Sequence, residues 1–181
     1  MTWWVIAVIV AVILLAALAA AALGRRRSAR LRERFGPEYD RTLERHGDQR
    51  AAEADLRERR DRRNGLHIRP LEPEARNAYE RRWTETQNRF VDAPASAVAE
   101  ADDLVAEVMR ERGYPLDDLD QRAADLSVDH PDTVEHFRQA HAISMASAEQ
   151  RADTEDLRTA MVHFRALFED LLHTDREEEM I

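Results

Sequence analysis

Hydrophobic and polar positions divide this chain sharply. Residues 3 to 23, WWVIAVIVAVILLAALAAAAL, form an apolar run of 21 positions that no glycine, proline or charge interrupts. About 20 apolar residues in a helix match the roughly 30 Å hydrocarbon core of a bilayer, so the run predicts a single transmembrane helix. Residues 25 to 35 continue it until Gly36 and Pro37 favour a break. A polar helical pattern resumes at Glu38 and breaks again near Gly47 and Asp48. In AAEADLRERRDRR, 51 to 63, Leu56 is the one strongly apolar side chain, and Glu53 with Arg57, Asp55 with Arg59 and Glu58 with Arg62 are spaced four apart. That pattern describes an exposed, charge-paired helix.

A boundary follows in NGLHIRPLEPEA, 64 to 75, where Asn64-Gly65 makes a turn and Pro70 and Pro73 oppose a helix. Beyond it, helical spacing recurs four times. Tyr79, Trp83 and Phe90 share one side of 75 to 91. Val98, Ala101, Val105, Val108 and Met109 form a stripe that ends at Gly113. A short helix is expected from Asp117 to Leu126, then longer ones from Pro131 to about Ser147 and from Thr154 to His173. In the last, Leu157, Met161, Phe164, Phe168, Leu171 and Leu172 repeat at helical spacing behind Asp153 or Thr154 as cap. The expected fold is all-α, an N-terminal single transmembrane helix followed by a small helical-bundle domain. Its divisions are an anchor at 1–24, a charged juxtamembrane helical linker at 25–65, a bundle at 66–173 and a disordered acidic tail at 174–181.

Charge sharpens the picture at the amino end. Residues 24 to 63 hold 14 Arg against 9 Asp and Glu, whereas 64 to 181 hold 13 against 27. Trp3 and Trp4 suit one headgroup layer, and Arg25, Arg26, Arg27 and Arg30 suit the cytoplasmic one. The expected placement is therefore a single-pass protein of the cell membrane with its C-terminal domain in the cytoplasm, signal-peptide-directed secretion being the alternative. Alternating signs in the arginine-rich region argue against a nucleic-acid arm. The chain has no cysteine, which excludes disulfides and thiolate metal sites.

The densest chemistry lies in SVDHPDTVEHFRQAH, 127 to 141, which carries Asp129, His130, His136, Arg138 and His141. His136 and His141 are five apart and so do not share the face of a metalloprotease pair. Pro131 and the nearby carboxylates suit the start of a helix, with Ser127 or Asp129 as its cap. His163 joins the cluster only if packing brings its helix across. Two loop motifs carry further candidates for ligand or partner contact, His67 and Arg69 in HIRPL and Arg112 and Tyr114 in RERGYPLDD. Arg138 and Arg158 are expected to pair with carboxylates inside the bundle. No catalytic template, metal-ligand set or cofactor motif is found.

Six segments, LRERFGPEYDRTL, LHIRPLEPEARNAY, QNRFVDAP, VMRERGYPLDD, SVDHPDTVEHFRQAH and TEDLRTAMVHFRALFEDLL, cover most of the chain beyond the apolar run. On them the chain resembles an uncharacterised bacterial, mainly actinobacterial, family of small membrane-anchored proteins, sometimes labelled secreted or hypothetical. The resemblance implies an anchor and no activity. The expected function is thus a membrane-anchored accessory or protein-interaction domain whose partners are the lipid bilayer and a protein at the membrane, with no cofactor. The alternative is a small-ligand-binding or metal-dependent enzyme built on the 127–141 cluster.

Overall fold

A computed structural model describes residues 3–173, without the side chains of 5, 6, 7, 10 and 20. The expected tail at 174–181 lies outside the described residues. Those residues form eight helices and no strand: α1 (Trp3–Phe35), α2 (Pro37–His46), α3 (Gln49–Asn64), α4 (Pro73–Arg89), α5 (Pro94–Arg112), α6 (Leu119–Asp129), α7 (Val134–Ala148) and α8 (Thr154–His173). They fall into two compact units that divide between Leu56 and Arg57.

In the first unit, α1 ends where expected, because Gly36 at φ 45° turns the chain and Pro37 opens α2. Gly47, at φ 65°, closes α2 with its N–H on the Leu43 carbonyl at 2.9 Å. Leu31, Phe35, Tyr39, Ala52 and Leu56 are buried. The Tyr39 hydroxyl donates to Glu53 Oε1 at 3.2 Å, and Gln49 donates to the same oxygen at 2.8 Å. Burial first, and then the Glu53 carboxylate, pushes the Tyr39 hydroxyl above its ordinary range.

The expected transmembrane anchor is not borne out. Among the described residues no helix is long and apolar enough to cross a membrane. The transmembrane helix, the lipid bilayer as partner and the single-pass cell-membrane placement do not stand. Trp3, Trp4, Arg25, Arg26, Arg27 and Arg30 are exposed, and their reading as interface residues rested on that span.

The second unit holds the main core. α5 packs against α4, α7 and α8, α7 lies along α8, and α6 joins α7. The whole predicted stripe of α5 is buried, together with Leu104. From α8, Leu157, Phe164, Leu167, Phe168, Leu171 and Leu172 enter the same cluster. Trp83 of α4 stacks on Phe168 with ring centroids 4.6 Å apart. α8 is capped as its sequence suggests: Asp153 Oδ1 accepts from the N–H groups of Glu155 and Asp156 at 2.8 and 2.9 Å, and Asp156 Oδ2 accepts from Asp153 N–H at 3.0 Å.

Two local expectations fail. The stretch 127 to 131 does not start a helix; α6 runs on to Asp129, so Ser127 is a buried position near its end, and α7 begins only at Val134. The true cap of α6 is Asp118, which accepts from the Gln121 N–H at 3.3 Å. Nor is α3 an exposed helix, since Ala52, Glu53, Leu56 and Arg59 are all buried. Ala52 and Leu56 are apolar, but Glu53 and Arg59 are polar groups that find buried partners in Tyr39 and Ser127, which apolar periodicity does not report.

Candidate functional site

The two loop motifs meet. Arg69 N–H donates to the Arg112 carbonyl at 2.9 Å, and Arg69 Nε donates to the Glu111 carbonyl at 3.0 Å. Gly113, at φ 101°, lies so close to the crossing chain that a Cβ there would sit 2.5 Å from the His67 carbonyl oxygen. This contact explains the glycine better than helix termination alone. His67 itself is exposed.

Around that crossing the second unit gathers a polar joint. Arg112 is buried and donates from Nη1 to the Leu171 carbonyl near the end of α8 at 2.6 Å. Tyr114, also buried, donates its hydroxyl to Asp129 Oδ2 at 2.8 Å, and Arg63 Nε donates to the same oxygen at 2.6 Å. Arg62 Nε meets the fully buried Asp125 at 3.0 Å, and Arg59 Nη1 reaches the Ser127 hydroxyl at 3.4 Å. Burial, followed by the charge of Asp129, pushes the Tyr114 hydroxyl well above its ordinary range. Tyr79, bonded to Glu111 at 2.6 Å, is raised in the same way, burial again leading. These phenols are hydrogen-bond donors, held protonated by the carboxylates beside them.

The histidines of 127–141 part company. His130 is buried and places Nδ1 2.9 Å from Asp170 Oδ2, an oxygen that also accepts from Thr133. His136 faces His163, with their Nδ1 atoms 2.7 Å apart and their rings stacked at 4.9 Å between centroids. His141 meets Asp102 of α5 at 2.9 Å. Packing therefore does bring His163 across, but to one histidine only. Among the described residues no group of three or more histidines and carboxylates is placed to hold a metal ion. The metal-dependent or ligand-binding reading of 127–141 falls with that dispersal.

The two remaining arginines differ. Arg138 lies 3.4 Å from Glu135 one turn earlier and is half-buried. Arg158 pairs with Glu155 at 2.5 Å on the surface, so it is not a buried packing charge. Sequence reasoning missed Arg59, Arg62 and Arg63, which lay in an apparent linker, and Asp102, Asp125 and Asp170, which read as ordinary helix carboxylates. Nothing in a single sequence marks which charges of a charge-rich helix turn inward.

Elsewhere in the unit an open groove of about 210 Å³ is lined by Gln87, Phe90, Arg158, Met161 and Val162.

No protein-family model, curated protein or solved structure matches this chain. The resemblance to an actinobacterial membrane-anchored family thus has no match behind it and is withdrawn, and with it the accessory role at a membrane that it implied.

Proposed function

We propose that the second unit is an acid-responsive helical module in which His136 and His163 form a proton-controlled latch between α7 and α8. The observation that carries this reading is the 2.7 Å separation of the two Nδ1 atoms. A hydrogen bond at that distance needs one Nδ1–H and one bare Nδ1. Two neutral rings in complementary tautomers satisfy it. A first proton can be taken up on the outer nitrogen of the donor ring without disturbing the bond. A second proton must go to the acceptor Nδ1; it removes the acceptor and sets two cations ring to ring, so the latch opens in acid.

His163 is the natural acceptor. Burial, and then the charge of His136, holds it below its ordinary value. Its neighbours one turn away on α8 are Thr159, Ala160, Ala166 and Leu167, none of them charged. Several other charges on the packed helices have their own partners: Glu135 with Arg138, Arg165 with Glu169, Asp170 with His130 and, from α5, Asp102 with His141. His130 and His141 each face a carboxylate, so acid does not set like charges together there.

The test is a histidine ¹⁵N and ¹H titration of the full chain by NMR. The reading expects an Nδ1–H···Nδ1 bond at neutral pH, His163 titrating below its ordinary value, and loss of the bond at the second step. Independent titration of the two rings at the same ordinary value would refute it.

A further inference from the structure

Independently of the histidines, we infer that the groove between the end of α4 and the start of α8 is a docking site for an amphipathic helix of a partner protein, one that inserts a single large apolar side chain and flanks it with Lys or Arg. α4 and α8 both pack on α5 and touch each other where Trp83 stacks on Phe168. The groove is lined by Gln87 and Phe90 from the end of α4 and by Arg158, Met161 and Val162 from α8. Phe90 and Met161 lean on the main core and are only partly buried, whereas Val162 is 61% exposed. Nearby Val91 is 83% exposed. An apolar floor with exposed apolar edges gains by covering, and a volume of about 210 Å³ suits one large side chain rather than a whole interface.

The charge around the groove selects the partner. Arg158 is tied to Glu155 at 2.5 Å, and Arg89, beside Phe90, is tied to Glu100 at 2.5 Å. The surrounding sequence adds Asp92 just past Phe90 and Asp153 and Asp156 just before Arg158. The positive groups at the rim are thus neutralised locally, while these carboxylates leave a negative surplus. The wider unit points the same way, with 18 Arg against 29 Asp and Glu in residues 57 to 181. Such a field attracts a cationic helix and repels an acidic one.

The probe is a synthetic amphipathic peptide with one Trp on its apolar face and Lys on its polar face, titrated into the full chain while amide shifts are followed by NMR. Shifts should centre on residues 87 to 91 and 158 to 162. Replacing the peptide's Lys by Glu, or making Val162→Arg in the protein, should each weaken binding about tenfold or more. Val162 is exposed, so that variant keeps the fold; unchanged α5 amide shifts will verify this. Equal binding of the Glu peptide, shifts centred elsewhere, or no binding at all would each overturn the inference. So would concentration-dependent self-association that Val162→Arg abolishes, because the occupant would then be a second copy of this chain.

Discussion

At Gly113 two demands coincide. The residue sits at φ 101°, and the His67 carbonyl occupies the place of its Cβ. Gly113→Ala must either strain the backbone or displace residues 67 and 68, which breaks the Arg69 to Arg112 hydrogen bond. We expect a loss of about 2 to 3 kcal/mol in denaturant unfolding. Gly47→Ala provides the comparison, since Gly47 has φ 65° but nothing within 4 Å of a Cβ; strain alone should cost about 1 kcal/mol there. Asp129 makes a different prediction. One of its oxygens accepts from both Tyr114 and Arg63, so Asp129→Ala strands a buried phenol and a half-buried guanidinium. The expected cost is about 2 to 3 kcal/mol. A double-mutant cycle with Tyr114→Phe should show that the two effects are not additive.

Among the elements, α8 carries the largest apolar commitment, and its two faces are distinct. Phe164 is fully buried while Val162, two residues earlier, is 61% exposed. Phe164→Ala should cost about 3 to 5 kcal/mol and Val162→Ala less than about 0.5 kcal/mol, measured by chemical unfolding. Similar values for the two would mean that α8 is rotated from the orientation described. α3 is held by another kind of force. Its second half has Arg59, Arg62 and Arg63 directed at Ser127, Asp125 and Asp129 of α6, so that half docks through charged and polar pairs where α8 docks through apolar side chains. Glu107 of α5 shows the same chemistry at the surface: the Arg82 guanidinium, bonded to it at 2.5 Å, holds its carboxyl below the usual range.

For the molecule as a whole, the histidine latch implies a direction of pH dependence. His163 is depressed from an ordinary value of 6.5. Below that value the unfolded chain takes a proton that the folded chain refuses, so this contribution is fully present above pH 6.5 and is lost as pH falls through the folded value. Thermal unfolding of the full chain should show a midpoint that drops between pH 7 and pH 5. The double variant His136→Phe with His163→Leu should lose less over the same range. An equal drop in both would assign the acid sensitivity to the carboxylates instead.

The apolar periodicities of α4, α5 and α8 determined by themselves that those helices exist and which faces they bury, because burying a stripe at helical spacing is a property of local sequence. Gly36-Pro37, Gly47 and Gly113 likewise marked breaks, and Asp153 the cap of α8, since these are constraints on one turn of backbone. The destinations of the charges were decided elsewhere. Whether Arg63 lies in solvent or on Asp129 depends on where α6 runs, and α6 extends through Ser127 to Asp129 where local preference put the start of the next helix. The fate of the 127–141 histidines was equally tertiary: His130 went to Asp170, His136 to His163 and His141 to Asp102. Each pair is separated by 27 to 40 residues in the chain, and polar pairing over such distances leaves no period in a sequence. Only the packing of α5, α7 and α8 against one another chose the partners, and in doing so it took apart a cluster that its spacing along the chain had assembled.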